Sequence, residues 1–241
     1  MRYSIIGLAL AAAAGASPAS AAAVNLVQNG DFTDLTNGVG QITGHPTTAV
    51  GWTTSGYNFV FSSGTTGGLN SNGSSIRLWT ADNGGASTWN GSAPVGNFVA
   101  MDGDYQTDKV SQSVSGLTEG EQYQVTFDYA FAQQKGYSGD TVQHINVSLG
   151  GQTQSTANYA LPQHDFSGWF NGAFTFTANA STETLSFLAW GNRPVPPFAL
   201  VSDVKLMAAP EPATWAMMLL GFAGLGFAGY RGARRGQSAI A

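Results

Sequence analysis

The stretch from Tyr123 to Phe131 constrains this chain more than any other. Tyr123, Val125, Phe127, Tyr129 and Phe131 alternate with Gln124, Thr126, Asp128 and Ala130. That is a period of two, and a helix would scatter these aromatic and β-branched side chains around its circumference. The stretch is therefore expected to be a strand with one buried face. The same parity recurs in Ile145, Val147 and Leu149, which end at the turn signal Gly150-Gly151. It recurs again in Phe174 and Phe176, in Leu185, Phe187 and Ala189, and in Phe198, Leu200, Val204 and Leu206. Asn25–Val27, Ser75–Trp79, Asn97–Met101 and Lys109–Val114 read as shorter strands, and Gly, Asn and Asp clusters separate them. Nine or so short strands with almost no helical period predict an all-β antiparallel sandwich. Gly64 to Gly96 is richer in Gly, Asn and Ser. It reads as a long loop system or a pair of edge strands.

Both ends of the chain depart from this pattern. Met1 to Ala23 has a single Arg2, an apolar stretch from Ile5 to Ala14, and small residues at Ala21 and Ala23 that fit an A-x-A cleavage site. This is the signature of a secretory signal peptide. At the other end an apolar run extends from Ala213 to about Tyr230. At 1.5 Å per residue it spans about 27 Å, close to the ~30 Å hydrocarbon core, so a transmembrane helix is expected at about 213–230. Glu211 is the only charge just before the run, whereas Arg231, Arg234 and Arg235 follow it. That bias places the C-terminus in the cytoplasm and the body outside. The expected organisation is a signal peptide at 1–23, one sandwich domain at 24–209 and a tail at 210–241. A body of about 185 residues is long enough for one sizeable core.

The chain has 9 basic and 14 acidic residues. Four of the basic residues and one of the acidic ones lie in the terminal segments, leaving 5 against 13 in the body. A body this acidic gains nothing from the counterion release that drives binding to nucleic acid or to an anionic membrane surface, so neither is an expected partner. The absence of cysteine excludes disulfides, thiolate chemistry and Cys-based zinc sites.

Catalytic candidates are thin. Glycoside hydrolysis would want two carboxylates about 5–9 Å apart across a cleft. Asp102, Asp104 and Asp108 form one acidic cluster, and Glu119 and Glu121 flank Gly120 in a turn. Asp102-Gly103-Asp104 lacks the glycine position and distal Glu of an EF-hand, so these acids read as solvated turn residues. His45, His144 and His164 show no metal-binding spacing and read as exposed loop histidines. No serine has an elbow motif, and no catalytic residue is expected. Aromatic residues set among polar ones point elsewhere, because sugar rings stack on flat aromatic faces while amides and carboxylates bond their hydroxyls. Trp52 reads as core. Trp79, Trp89, Tyr137 and Trp169, surrounded by Gly, Ser and Asn, are the expected exposed platform.

Two resemblances add to this reading. Pro210-Glu211-Pro212-Ala213-Thr214-Trp215-Ala216, the apolar run and the terminal arginines resemble the PEPxxWA form of the PEP-CTERM sorting domain. The resemblance implies recognition by an exosortase, a transpeptidase-like membrane enzyme of Gram-negative bacteria that make exopolysaccharide. Pro210, Glu211, Pro212, Trp215, Ala216, Arg231, Arg234 and Arg235 would carry that signal. In the body, Asn25-Leu26-Val27-Gln28-Asn29-Gly30-Asp31-Phe32, Gly51-Trp52, Asn97 to Gly103, Val110 to Leu117, Gly120 to Tyr129 and Val201 to Leu206 occur in order. This order resembles the galactose-binding-domain-like jelly rolls, a group that includes many carbohydrate-binding modules and the DUF642-type cell-wall proteins. The resemblance implies a jelly roll and non-catalytic glycan binding, with exopolysaccharide among the expected partners. A structural matrix protein and a glycoside-acting enzyme are the alternatives. Such modules commonly hold a structural calcium between the first loop and the last strand. Here Thr33 and Ser202 stand at the usual acidic positions, with Asp34 and Asp203 one residue further on. Asp31, Asp34 and Asp203 are the candidate ligands, with backbone carbonyls completing the six to eight oxygens calcium needs. The two targeting ends together imply export through the inner membrane, transient anchoring, and a final place in the envelope or extracellular matrix.

Overall fold

A computed structural model describes residues 24–42, 48–192, 195–210, 218–227 and 230. The expected signal peptide lies outside the described residues. Three two-residue strands come first: β1 (Leu35–Thr36), β2 (Gly40–Gln41) and β3 (Thr48–Ala49). β4 (Asn58–Phe61), β5 (Gly67–Leu69) and β6 (Ser75–Arg77) lead through a 3₁₀ turn at Ala81–Asn83 to β7 (Phe98–Asp102) and β8 (Val110–Ser115). Then come β9 (Gln122–Gln133), β10 (Thr141–Leu149), β11 (Gln152–Ser155) and β12 (Tyr159–Leu161). β13 (Phe170–Thr177), β14 (Thr182–Gly191) and β15 (Pro197–Ala208) close the body.

Two antiparallel sheets face each other in a jelly-roll sandwich. One has six strands in the order β13-β9-β15-β7-β4-β2; the other runs β11-β10-β14-β8, with β12 also paired to β10. Between them lie Val99, Met101, Val125, Phe127, Phe131 and Val201 from the first sheet and Val110, Ile145, Val147, Leu185 and Phe187 from the second. The ring of Phe127 meets that of Phe187 edge-on at 5.2 Å. All five long alternating stretches of the sequence are strands, and Trp52 is core at 2% exposure. Asn25–Val27 is the exception. It forms no strand, and instead Leu26 donates its N–H to Leu206 O at 2.9 Å along the lower half of β15.

The outer face of the six-stranded sheet departs from the expected alternation. Beyond Phe127, β9 is buried on both sides at Ala130, Phe131 and Ala132. A second core explains this, built on that outer face from Phe59, Phe61, Phe98, Ala100, Ala130, Ala132, Phe198 and Leu200. Ile76, Leu78 and Trp89 cover it from the Gly64–Gly96 region, helped by the half-buried Phe166 and Trp169. The region expected as loops or edge strands is therefore a packed layer. It contains the β5–β6 hairpin, and a single bridge joins Leu78 to Gln134 at the end of β9.

β15 is the middle of the molecule. Its upper half pairs with β7 and β9, and a bulge interrupts its β9 register between Ser202 and Lys205. At the bulge the opening loop takes over β7's place, with Val204 N donating to Gly30 O at 2.9 Å. Beyond β15, a helix is described at 218–227, all of it exposed. Among the described residues no helix is long and apolar enough to cross a membrane. The rest of the span expected at 213–230 falls largely on residues outside the description.

Leu78 is fully buried, so Leu78→Ala is expected to destabilise the chain by about 2–5 kcal/mol. A residue in a loose loop would change stability by less than about 0.5 kcal/mol. Urea unfolding of the two proteins separates the outcomes.

Candidate functional site

The apolar cover of the outer face stops at Tyr57 and Asp102, and a cleft of about 270 Å³ opens there. Four segments line it: Tyr57 just before β4, Asp102, Asp104 and Tyr105 at the end of β7, Gln134 and Tyr137 after β9, and Val195 and Pro196 before β15. By the alternation of β4 and β7, Tyr57 and Asp102 share the face of Phe59 and Ala100. Tyr57 anchors the cleft to the second core, edge-on to Phe59 at 4.7 Å and to Tyr105 at 5.6 Å. Burial pushes its phenol above the usual tyrosine range, against a hydrogen bond with Asn70 that pulls it down. It therefore stays protonated as a donor at neutral pH. Tyr105 and Tyr137 form the rim, 64% and 47% exposed.

Asp102 is 2% exposed. Its Oδ1 accepts the backbone N–H groups of Asp104 and Tyr105, both at 2.8 Å. That carboxylate shapes the 102–105 turn, which corrects the expectation of a solvated acidic loop for this residue. Asp104, half-buried, and Gln134 add polar side chains to the lining of the cleft.

Of the four expected platform residues, only Tyr137 lines this cleft. Trp89 is 7% exposed, stacked on Phe166 at 4.0 Å with the planes 7° apart, and its Nε1–H donates to Ser92 O. Trp169 is half-buried against Phe98, and its Nε1–H donates to the same carbonyl. Both are roof members of the second core, recruited by a face that only the folded chain reveals. Trp79 is half-buried, its ring 4.0 Å from that of His164 with Lys135 Nζ 5.7 Å from its centroid. Its Nε1–H donates to Tyr137 O at 3.1 Å, so it positions the rim. His164 and His144 are half-buried, not exposed as expected. His144 lies in β10, stacked on Trp190, and His45 is outside the described residues. Tyr57 and Tyr105, like Tyr137, are aromatic residues outside the long alternating stretches of the sequence, while Gln134 carries no signal beyond its residue type.

The expected calcium ligands do not form a cage. Asp31 accepts from Thr33 Oγ1 at 3.0 Å, Asp34 donates its backbone N–H to Asn29 Oδ1 at 2.9 Å, and Asp203 pairs with Lys205 at 2.5 Å. Among the described residues no group of three His, Cys, Asp or Glu is placed to hold a metal. At the expected acidic position of the last strand, Ser202 is fully buried and its Oγ contacts Val95 O at 2.6 Å and Asn97 O at 2.9 Å. Those two carbonyls thus have Ser202 as a partner.

Asp203 lines a different feature. A groove of about 240 Å³ at the other end of the outer face joins it to Thr126, Asp128 and Asn171. Asp128 is 7% exposed and accepts a hydrogen bond from Asn171 Nδ2. Burial holds its carboxyl above the usual range, with Asn171 opposing and Asp203 adding to the shift.

The tail leaves directly from the sheet. Ala209 N still donates to Gln122 O at 2.8 Å, and Pro210 beside it is exposed. Residues 208–235 match the PEP-CTERM protein-sorting motif. The PEP-CTERM motif thus begins inside β15. Glu211, Pro212, Trp215, Ala216, Arg231, Arg234 and Arg235, which would carry it, lie outside the described residues. A search of curated proteins finds no match. Among solved structures the chain is similar to TmCBM61 in complex with beta-1,4-galactotriose, at 16% identity over 77% of this chain and 99% of that one, with a TM-score of 0.39. It is also similar to the CBM22-1 xylan-binding domain of Paenibacillus barcinonensis Xyn10C, at 12% identity, 80% and 100% coverage and a TM-score of 0.39. A third is the K3 cleaved adhesin domain of Lys-gingipain from Porphyromonas gingivalis, at 10% identity, 78% and 100% coverage and a TM-score of 0.43.

Asp128 supplies a pH test. A carboxyl raised in the folded state binds its proton more tightly there, so stability falls as pH rises from the unfolded value of about 3.9 through the folded one. Asp128→Asn removes that loss. Its melting temperature is expected to exceed the parent's at neutral pH, with the difference vanishing below about pH 4.

Proposed function

We propose that the chain is an exported, non-catalytic glycan-binding protein, sorted through its tail by an exosortase of a Gram-negative envelope. The cleft of Tyr57, Asp104, Tyr105, Gln134 and Tyr137 is its sugar site. One observation carries the reading: three tyrosines, a carboxylate and an amide converge on one concave site, beside the aliphatic Val195 and Pro196. Aromatic rings take the apolar face of a pyranose, and the few placed polar groups bond its hydroxyls. The buried Oδ1 of Asp102 accepts two backbone N–H groups and so acts as a strut for the 102–105 turn. The PEP-CTERM motif supports export and envelope association.

Retardation of the full-length chain in gels containing neutral and acidic polysaccharides tests the site. Asp104→Ala and Tyr137→Ala are each expected to weaken retention about tenfold, or 1.4 kcal/mol, at unchanged melting temperature. Trp79→Phe, which loses only the donor that holds Tyr137, is expected to weaken it less. Absence of retardation by every polysaccharide would overturn the reading. For the tail, joint replacement of Pro210, Glu211 and Pro212 by Ala is expected to leave the chain full length and membrane-bound in an exosortase-bearing host. Release of that variant would show that the motif is not what is read.

A further inference from the structure

We infer that the cleft takes a terminal sugar unit of a glycan, at a chain end or a branch tip, and not the interior of a polysaccharide chain. This rests on the glycan reading of the cleft. A sugar chain lying along a sheet needs an open face, and here the second core closes the middle of it. Phe59, Phe98 and Phe198 are fully buried there beneath Leu78 and Trp89. The polar groove at Asp128 lies beyond that cover, so no single chain runs from one to the other.

Two further flanks are walled by backbone hydrogen bonds. Gly103 donates to Pro197 O at 2.8 Å and accepts from Gly191 N at 2.9 Å, which ties the 102–105 turn across to the ends of β15 and β14. A Cβ at Gly103 would sit 2.7 Å from Gly191 N, so the turn lies flat against the opposite sheet with no channel beneath it. On the other flank, Gln134 N donates to Pro196 O at 3.2 Å and Lys135 N to Arg77 O at 2.8 Å, and Trp79 holds Tyr137. Among the described residues the cleft is thus a pit that opens to solvent. Its volume of about 270 Å³ is below the roughly 300–1,000 Å³ of sites that take drug-sized ligands. That suits one ring and the start of its linkage.

Calorimetric titration of the full-length chain in detergent, with gluco-, galacto-, manno- and xylo-oligosaccharide ladders from monosaccharide to hexasaccharide, tests this. In the ladder that binds, affinity is expected to change by less than about twofold from disaccharide to hexasaccharide. Partial acid hydrolysis of the matching polysaccharide is expected to raise the binding capacity per gram in step with the number of chain ends. Affinity that climbs about tenfold or more with length would overturn the terminal-unit inference while leaving the glycan reading intact. Failure of every ladder and polysaccharide to bind would overturn both.

Discussion

Burial of both faces of the six-stranded sheet is the constraint on which the rest of the molecule depends. Phe198, Ala199, Leu200 and Val201 are each 1% exposed or less, as are Phe59, Val60 and Phe61 on β4. Strands buried on both sides need apolar residues at every position, and they need a covering layer on each side. The five-stranded sheet supplies one layer and the Gly64–Gly96 region the other. At about 25 cal/mol per Å² of apolar surface removed from water, leaving the phenylalanine-rich outer face open would forfeit several kcal/mol. The long excursion is therefore held as a roof. Recessed sites form on that face where the roof stops, at the ends marked by Tyr57 and by Asp128.

A second constraint follows from the first. With β15 in the centre, the opening loop must fit against its lower half, and this close approach is costly. Asn29, Phe32 and Asp203 all take positive φ, at 49°, 53° and 47°. Such backbone costs roughly 1–3 kcal/mol per residue. Gly30 fits only because it lacks a side chain, since a Cβ would lie 2.0 Å from Val204 O. The knot is held by Phe32 against Trp52 at 5.2 Å and by Ser202 contacting two loop carbonyls. The start of the body is thereby tied to the strand that leads into the sorting motif. The tail then emerges next to the last sheet hydrogen bond, at Ala209.

The cleft was only faintly legible in the chain. Tyr137 stood out because an aromatic residue amid Gly, Ser and Lys has no strand to pack into. Trp89 and Trp169 sent the same local signal and serve the opposite purpose, because a roof over a hidden face also needs aromatics among small polar residues. Asp102 sits at the end of an apolar run and looks like the first residue of a turn. Its burial comes from the neighbouring β15 strand and the segments around the cleft, which are distant in sequence. Composition cannot separate a platform from a roof, since both want flat rings with one polar donor; only the partner across the ring decides.

By itself the sequence determined the sandwich. Period-two alternation at Tyr123–Phe131, Ile145–Leu149 and Leu185–Ala189 admits one buried face per strand and nothing helical. It determined the sorting tail as well, because that motif is a linear string read in order. The tertiary structure alone decided that the six-stranded sheet is covered twice, that Trp89 and Trp169 turn inward while Trp79 props the rim, and that Tyr57, Asp104, Gln134 and Tyr137 meet. Strand pairing over long loops makes those contacts, and each local segment is compatible with more than one neighbour until β15 takes its place.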